Sequence, residues 1–321
     1  MSVIIIMATC NGAKTLPKVL DGYARLAQPT GGWSAIIVDD GSTDDTRKVI
    51  ESYAERLPIR YVCQERSGKN TALNRGVELA LQQQPAAGLF VLTDDDATPD
   101  HDWLVAMQDC AHEHPDHDLF GGAILPDWGA PAPDWILRHV PLGLAFAITS
   151  FSDGPIQPGA IWGPNMAVRR RVFEAGHRFN PHVGPSRGNY IMGSETEFNK
   201  RVVAAGHQAW FCNSARVHHF IRPHQLTEEF CLGRAFRGGR GSCLEAGSLA
   251  HYPKLFGVPR WLYAKKIRLA LQIAFASLRG DKEARFKARF HYHHTRGFLH
   301  QARALAESAG PGGAGSVAPN P

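Results

Sequence analysis

The sequence of 321 residues contains few cysteines and no long apolar run. Its six cysteines are widely separated and none belongs to a CxxC pair, which argues against a zinc ribbon or a disulfide scaffold and favours a reducing compartment. The apolar start, MSVIIIMATCNG, has no preceding basic segment and is too short for a signal peptide. We therefore interpret it as a first β-strand and expect a cytoplasmic protein.

Several ligand-binding motifs are also absent from the sequence. No GxGxxG follows the first apolar segment, which disfavours a dinucleotide-binding Rossmann enzyme. The run RGGRGS, residues 237–242, is not a phosphate loop, because no strand pattern precedes it and the Lys-Ser/Thr pair is missing. With 44% hydrophobic and 20% charged residues, the composition is that of an ordinary globular protein.

Charge is distributed unevenly along the chain. Residues 1–215 hold 18 Lys and Arg against 24 Asp and Glu, a net charge of −6, whereas residues 216–305 hold 17 against 5, a net charge of +12. Such asymmetry is typical of nucleic-acid or membrane-surface binding, but no nucleic-acid-binding motif accompanies it. Residues 261–279 fit a basic amphipathic helix at the inner face of a membrane, and equally an ordinary packing helix with a solvated basic face.

The first half of the chain alternates between strand and helix patterns. Apolar segments at 2–9, 34–42, 59–64 and 89–96 predict strands, and the stretches between them have helical periodicity. Repeated βα units place parallel strands in one sheet with helices on both faces. The sequence therefore predicts an α/β fold with three layers.

We expect a first domain over residues 1–225 and a basic helical extension over 226–305, followed by a disordered tail over 306–321. The first domain is expected to have a nucleotide-binding half, about residues 1–125, and an acceptor-binding half, about residues 126–225. A strand pair is predicted over 208–220. In SETEFNKRVVAAG, Ser194 is the predicted helix N-cap, with Glu197 completing a capping box and Gly206 ending the helix.

The stretch VLTDDD, residues 91–96, runs from an apolar strand into three aspartates. Neighbouring like charges repel, so Asp94, Asp95 and Asp96 need water, protons or a cation among them. A solvated loop tip is one interpretation, since Asp favours turns. The other is a ligand site, since parallel sheets bind ligands at the carboxyl ends of their strands. On an extended backbone Asp94 and Asp96 would face the same way and suit Mg²⁺ or Mn²⁺.

Three further motifs lie at strand ends or close to them. VDDGSTDDT places Asp39 and Asp40 at the end of the second strand. RSGKNTALNRG places Lys69 just before a helix, a pattern that favours phosphate binding but also fits a solvated lysine at a helix start. GSETEF places Glu195 and Glu197 at another helix start.

These motifs resemble, in order and spacing, the series of family 2 glycosyltransferases with the GT-A fold: SVIIIMATCNG, VDDGSTDDT, GKNTALNRG, TDDDATPDHDWL, GPNMAVRRRVF, GSETEFNKRVVAAG and VHHF. The resemblance covers about residues 2–230. It implies a GT-A three-layer sandwich with a C-terminal helical extension, a nucleotide-sugar donor that is usually a UDP-sugar, Mg²⁺ or Mn²⁺, and inversion at the anomeric carbon. The implied acceptor is a saccharide or a lipid-linked molecule in polysaccharide or glycoconjugate synthesis.

The resemblance also implies roles for individual residues. The donor-binding positions of the family correspond to Thr9, Asp39, Asp40, Lys69, Asp94 and Asp95. Asp96 corresponds to the metal ligand and His219 to the histidine near the metal, with His218 as an open alternative.

Glu195 corresponds to the general base, although the family usually has GEDxEF where this chain has GSETEF. The serine at position 194 leaves open a non-catalytic sugar-nucleotide-binding protein. The aspartate triplet by itself leaves open a metal-dependent nucleotidyltransferase. Glu197 and Arg201, four residues apart, are expected to form a structural ion pair.

Overall fold

Strands and helices alternate through the first half of the chain, as the hydrophobic pattern predicts. The computed structural model describes residues 1–185, 190–249 and 251–308. Its strands are β1 (Ser2–Thr9), β2 (Trp33–Asp40), β3 (Ile59–Gln64), β4 (Ala87–Thr93), β5 (Ala97–Pro99), β6 (Leu119–Trp128), β7 (Gly154–Pro155), β8 (Met166–Arg169), β9 (Ala209–Ile221), β10 (Lys254–Leu255) and β11 (Val258–Pro259).

Most helices agree with the predicted periodic stretches, including three long ones after residue 226, whereas the two short helices between residues 134 and 146 were not predicted. They are α1 (Leu16–Tyr23), α2 (Thr46–Ala54), α3 (Lys69–Gln83), α4 (Trp103–Glu113), α5 (Asp134–His139), α6 (Leu142–Phe146), α7 (Arg170–Glu174), α8 (Ser194–Ala204), α9 (Glu228–Glu245), α10 (Arg260–Leu278) and α11 (Lys282–Ser308). The predicted tail starts within α11, and residues 309–321 lie outside the described residues.

The chain divides into two units. The first comprises residues 1–133 and 141–226, and the second comprises residues 134–140 and the chain from Thr227 onward. The hydrophobic pattern gave no sign that the short segment 134–140 belongs with the C-terminal helices.

One large sheet organises the first unit. Its strand order is β3-β2-β1-β4-β8-β6-β9-β5, and β7 pairs with β9. The longer ladders, β1 with β2, β1 with β4, β2 with β3 and β6 with β9, are parallel, whereas β8 is antiparallel to both of its neighbours. The mostly parallel sheet brings the carboxyl ends of β1, β2 and β4 to one edge.

Both faces of the sheet are covered by helices. Along β1, Val3 and Ile5 pack into the apolar cluster that contains α1, α2 and α4. Ile4 and Ile6 pack on the opposite face with α3, α7 and α8. Strands buried on both faces need near-continuous apolar sequences, and the predicted three-layer α/β fold is confirmed.

Two sequence-based boundaries were wrong. The predicted strand pair over 208–220 is the single strand β9, whose register against β6 shifts between Gly122 and Ala123. Residues 213–215 form an irregularity within this one strand instead of a turn between two strands. The predicted fourth strand also ends earlier, at Thr93, because the chain turns at Asp95 and Asp96 before β5.

The cysteines do not all remain unpaired, contrary to the expectation from their spacing. Cys110 in α4 and Cys212 in β9 form a disulfide across a sequence separation of 102 residues. Local motif rules could not reveal this pair, because α4 and β9 meet only through the packing of the fold. The cysteine pattern therefore no longer supports a reducing compartment.

Glycines bring two helices of the second unit into backbone contact. A Cβ atom at Gly239 of α9 would meet the backbone of His294 in α11, and one at Gly297 of α11 would meet the backbone of Phe236 in α9. The run RGGRGS thus serves helix packing. None of the helices in the described ranges is long and apolar enough to cross a bilayer.

Gly297→Ala is expected to destabilise the protein by up to about 2 kcal/mol, because the added methyl must displace the α9 backbone at a cost of roughly 1–3 kcal/mol, and a gain of about 1 kcal/mol in helix propensity offsets only part of this cost. Gly233→Ala is the matched control, since its Cβ would approach only the Arg237 side chain at 3.4 Å. Urea unfolding followed by circular dichroism measures both. Equal stability of the two variants would contradict the close packing.

Candidate active site at the carboxyl edge of the sheet

Two helices begin at this edge, each directly after a glycine with positive φ. Gly68 (φ 99) precedes α3, and Gly193 (φ 106) precedes α8. Residues with a Cβ rarely adopt this conformation, so glycine allows each chain to turn sharply into its helix. Lys69 and Glu195 are consequently held in the first turns of α3 and α8.

Lys69 lies between two carboxylates from different parts of the chain. Its Nζ is 2.6 Å from Asp94 Oδ1 and 3.2 Å from Glu195 Oε1. Burial alone would lower the pKa of Lys69, but Asp94 and then Glu195 outweigh it and raise that pKa above its usual range. Lys69 is therefore a fixed cation, and the predicted alternative of a solvated lysine is wrong.

The three aspartates do not share one extended backbone. The chain turns at Asp95 and Asp96, and each carboxylate contacts a different group. Asp94 pairs with Lys69, Asp95 Oδ2 accepts a hydrogen bond from the Thr9 hydroxyl, and Asp96 Oδ2 lies 2.8 Å from Arg222 Nη1. This distribution separates the like charges, so the expectation that Asp94 and Asp96 face one way on an extended strand was wrong.

The pKa values of Asp95 and Asp96 are shifted in opposite directions. Burial, and then repulsion by Asp96, raise the pKa of Asp95, against the hydrogen bond from Thr9. Burial would also raise the pKa of Asp96, but His219 and Arg222 lower it below its usual range. Asp96 thus remains the ionised member of the pair.

His219 and His218 point to different surroundings, because successive residues of β9 face opposite sides. His219 Nδ1 donates to the Phe146 carbonyl at 2.7 Å, and its Nε2 is 3.4 Å from Asp96 Oδ1. Burial would lower the pKa of His219, but Asp96 raises it. His218 Nε2 instead lies 2.9 Å from Asp100, away from the aspartate triplet.

A divalent cation would find one carboxylate and one imidazole at this position. Within residues 1–185, 190–249 and 251–308, no group of three or more His, Cys, Asp or Glu side chains is arranged to hold a metal. Mg²⁺ commonly uses one or two carboxylates together with substrate phosphates. Because His219 Nδ1 is bound to a carbonyl, Nε2 is oriented in the way metal-binding histidines usually are. Asp96 and His219 therefore fit such a cation when a substrate supplies further oxygens.

Asp39 and Asp40 are buried and hydrogen-bonded within the protein. Asp40 accepts bonds of 2.8 Å from the backbone N–H groups of Ser67 and Gly68, and Asp39 accepts from Ser42 N at 2.8 Å and Tyr61 OH at 2.9 Å. Asp40 thereby shapes the loop before α3. A pocket beside this loop is lined by Ala8, Thr9, Cys10, Asp40, Arg66, Gly68, Lys69 and Pro185.

Ser194 is not the cap of α8. The N-cap is Gly193, with no capping bond from a side chain, and the buried Ser194 hydroxyl donates to Asn70 Oδ1 at 2.7 Å. Asn70 Nδ2 donates in turn to the carbonyls of Asn180 at 2.7 Å and Val183 at 2.9 Å. The Ser194–Asn70 hydrogen bond joins the first turns of α3 and α8, beside Lys69 and Glu195.

Glu197, which was predicted to complete a capping box, forms an ion pair with Arg201 instead. Arg201 Nε donates to Glu197 Oε1 at 2.9 Å, so the expected ion pair is confirmed and the capping box is wrong. Gly206, with φ 100, follows the end of α8 as expected.

Sequence reasoning missed Arg222, Arg66 and the Asn70 contact. Arg222 follows β9 directly, so a basic residue at the end of that strand was the available signal. Arg66 stands three residues before Lys69 and lines the pocket with it. No local pattern indicates the Asn70 contact, because its partner is 124 residues away.

The sequence of this chain is similar to those of known proteins. The family model "Glycosyl transferase family 2" matches residues 4–176. A glucosyl-dolichyl phosphate glucuronosyltransferase of Haloferax volcanii is 22% identical over 216 residues, 67% of each chain. A PGL/p-HBAD biosynthesis glycosyltransferase of Mycobacterium tuberculosis is 34% identical over 123 residues, 38% of this chain and 46% of the relative.

Two solved structures have the same fold as this chain. S. aureus TarS 1–349 in complex with UDP has a TM-score of 0.53 at 14% identity, with 94% of this chain and 92% of that chain covered. The mannosyltransferase PcManGT from Pyrobaculum calidifontis, in complex with GDP-Man and Mn²⁺, has a TM-score of 0.55 at 19% identity, with 98% and 76% covered. The fold is thus the GT-A fold, and since the family model spans more than half of the chain, this protein belongs to glycosyltransferase family 2.

Proposed function

We propose that this glycosyltransferase moves a sugar from a nucleotide-sugar, with UDP as the expected nucleotide, to an acceptor hydroxyl with inversion and with the help of a divalent cation. The observation that carries the proposal is the position of Lys69 between Asp94 and Glu195. A fixed cation beside two carboxylates at the ligand-binding edge of the sheet suits a reaction that separates a diphosphate and removes a proton.

The donor would occupy the pocket that extends from Thr9 to Lys69. Asp40 and Arg66 line this pocket, and a carboxylate that already accepts backbone hydrogen bonds can still accept from a base. Asp39 lies beside Asp40, and Asp94 and Asp95 stand at its phosphate side in the proposed arrangement. Lys69 would attract the diphosphate as a point charge.

Glu195 is the proposed general base. It would accept the proton of the acceptor hydroxyl while that oxygen bonds to the anomeric carbon and the bond from this carbon to the diphosphate oxygen breaks. In the free protein Glu195 is 3.2 Å from Lys69 Nζ. A diphosphate near Lys69 would compete for this cation and thereby release the Glu195 carboxylate to accept from the acceptor hydroxyl.

Asp96 and His219 are the proposed holders of Mg²⁺ or Mn²⁺. A divalent cation bound there would supply positive charge to the departing diphosphate. Arg222, which contacts the other oxygen of Asp96 at 2.8 Å, would hold that carboxylate in place. The TarS and PcManGT structures contain UDP and GDP-Man with Mn²⁺, respectively, which supports the class of donor without fixing its base.

The acceptor is proposed to be a saccharide or a lipid-linked molecule. The relative from Haloferax volcanii is named a glucosyl-dolichyl phosphate glucuronosyltransferase, and residues 216–305 of this chain have a net charge of +12. A basic region attracts anionic groups such as lipid phosphates.

Glu195→Gln is expected to lower kcat about 10²–10⁴-fold, because an amide cannot accept the proton. Glu197→Gln is the matched control, since Glu197 pairs with Arg201, and it should retain activity within a few-fold. A screen of UDP-, GDP- and dTDP-sugars that identifies the released nucleotide by mass measures both. Release of pyrophosphate in place of a nucleoside diphosphate would indicate nucleotidyl transfer, and full turnover by Glu195→Gln would exclude it as the base.

Asp96→Ala is expected to lower turnover more than about 100-fold, beyond the loss typical of an outer-shell partner of a metal. EDTA should abolish turnover, and added Mn²⁺ or Mg²⁺ should restore it. Asp100→Ala serves as the control, because Asp100 faces His218 on the other side of β9. Undiminished turnover in EDTA would contradict the metal requirement.

Ser194→Ala is expected to lower kcat roughly tenfold with a smaller effect on donor KM, because it leaves Asn70 Oδ1 buried without a donor and loosens Glu195. Ser194→Glu, which restores the common acidic residue, should also destabilise the protein by roughly 2 kcal/mol or more. Thr71→Ala, next to Asn70 but with an exposed hydroxyl, is the control. A fully active Ser194→Glu variant would contradict the positioning role.

A further inference from the structure

Helix α10 has apolar residues on two opposite faces, and only one of them is packed. Leu262, Leu269 and Ala276 face the rest of the second unit and are buried. A helix that is apolar all round is normally buried on every side. Packing within the second unit therefore does not explain the apolar residues on the exposed face of α10.

The outer face of α10 consists of Ile267, Leu271, Phe275 and Leu278, which are 63%, 66%, 57% and 88% exposed. Their spacings of four, four and three residues place them in one stripe along the helix. Single exposed apolar side chains are common on protein surfaces, whereas a contiguous stripe of large ones marks an interaction surface. The solvent-facing side of α10 therefore carries large apolar residues together with exposed basic residues.

Positive charge borders this stripe. Arg260, Arg268 and Arg279 of the same helix region are exposed, and Arg279 lies 4.4 Å from the ring centroid of Phe275. No Asp or Glu occurs in the sequence between residues 246 and 280. The surface around the outer face of α10 therefore combines large apolar groups with exposed arginines.

A second exposed aromatic residue lies next to the start of α10. Phe256, between β10 and β11, is 81% exposed, and its ring centroid is 6.3 Å from that of Tyr263 in the first turn of α10. Lys254 precedes it in the same hairpin and is also exposed. Aromatic and basic side chains occur together in segments that lie at the interface between water and lipid.

We propose that the outer face of α10 docks on a lipid surface that carries anionic headgroups. The apolar stripe would enter the boundary between headgroups and acyl chains, while the arginines beside it contact the headgroup phosphates. This binding mode needs no membrane-spanning helix, in agreement with the described helices. It is independent of the donor chemistry proposed for the first unit.

The positive charge and the sequence of the C-terminal residues disfavour two other partners for this face, a second copy of α10 and residues 309–321. A second copy of α10 would bring arginines against arginines along the contact, which costs energy unless acidic groups intervene. Residues 309–321 of this chain contain no acidic residue, and Val317 is their only large apolar side chain. An anionic lipid surface matches both the apolar stripe and the positive charge beside it.

The test is sedimentation of the full chain with vesicles of phosphatidylcholine alone or with about one third phosphatidylglycerol, at low and high salt. The wild-type protein should bind the anionic vesicles at least about tenfold more strongly than the neutral ones, and more weakly at high salt. The double variant Leu271→Gln with Phe275→Gln should lose about tenfold in binding. Leu137→Gln with Phe151→Gln, which changes two exposed apolar residues elsewhere, is the control and should bind like wild type.

Three results would overturn the proposal: equal binding of the two double variants, equal binding to neutral and anionic vesicles, or a dimer of the wild type that the Leu271→Gln and Phe275→Gln changes abolish. Sedimentation equilibrium without lipid measures the last. Thermal unfolding should be unchanged in both variants, because all four side chains are exposed. Nucleotide release from a soluble donor without vesicles should also be unchanged, so failure of docking is distinguished from failure of the proposed transferase activity.

Discussion

Three adjacent carboxylates can share one buried turn only because each faces a separate compensating group. Asp94 meets Lys69 from α3, Asp95 meets Thr9 from β1, and Asp96 meets Arg222 and His219 at the end of β9. Remote parts of the chain must therefore converge on the residues after β4. The central place of β4 beside β1, and the pairing of β5 with β9, bring these partners together. Charge compensation in this turn therefore depends on the strand order of the sheet, which brings the partners of the three aspartates together.

Much of this architecture could be predicted from periodicity. The apolar runs of β1 to β4 and the helical patterns between them are local properties, and the rule that parallel strands bind ligands at their carboxyl ends led to Lys69, Asp94 and Glu195. The contacts of Arg222, the Ser194–Asn70 hydrogen bond and the Cys110–Cys212 disulfide could not be predicted. Each joins residues about a hundred positions apart, where only the folded topology determines which side chains meet.

The second unit shows a different limit of sequence reasoning. Its three long helices were predicted with boundaries close to those observed, but their solvent-facing sides were not. Of the three residues that suggested a basic face for α10, Lys265 and Lys266 are only partly exposed, whereas Arg268 is exposed. Packing through Gly239 and Gly297 fixes α9 against α11, and which face of α10 then remains outside depends on that packing.

The Ser194–Asn70 hydrogen bond has a consequence for how such chains are recognised. Both N–H groups of the Asn70 amide are committed to main-chain oxygens, so its remaining oxygen requires a proton donor opposite it. A sequence motif that requires Asp or Glu at position 194 would therefore not match this chain. The Asn70 oxygen needs the hydroxyl donor that Ser194 supplies at that position. A change at position 194 that removes the hydroxyl donor therefore leaves a buried amide oxygen without a partner, unless position 70 changes as well.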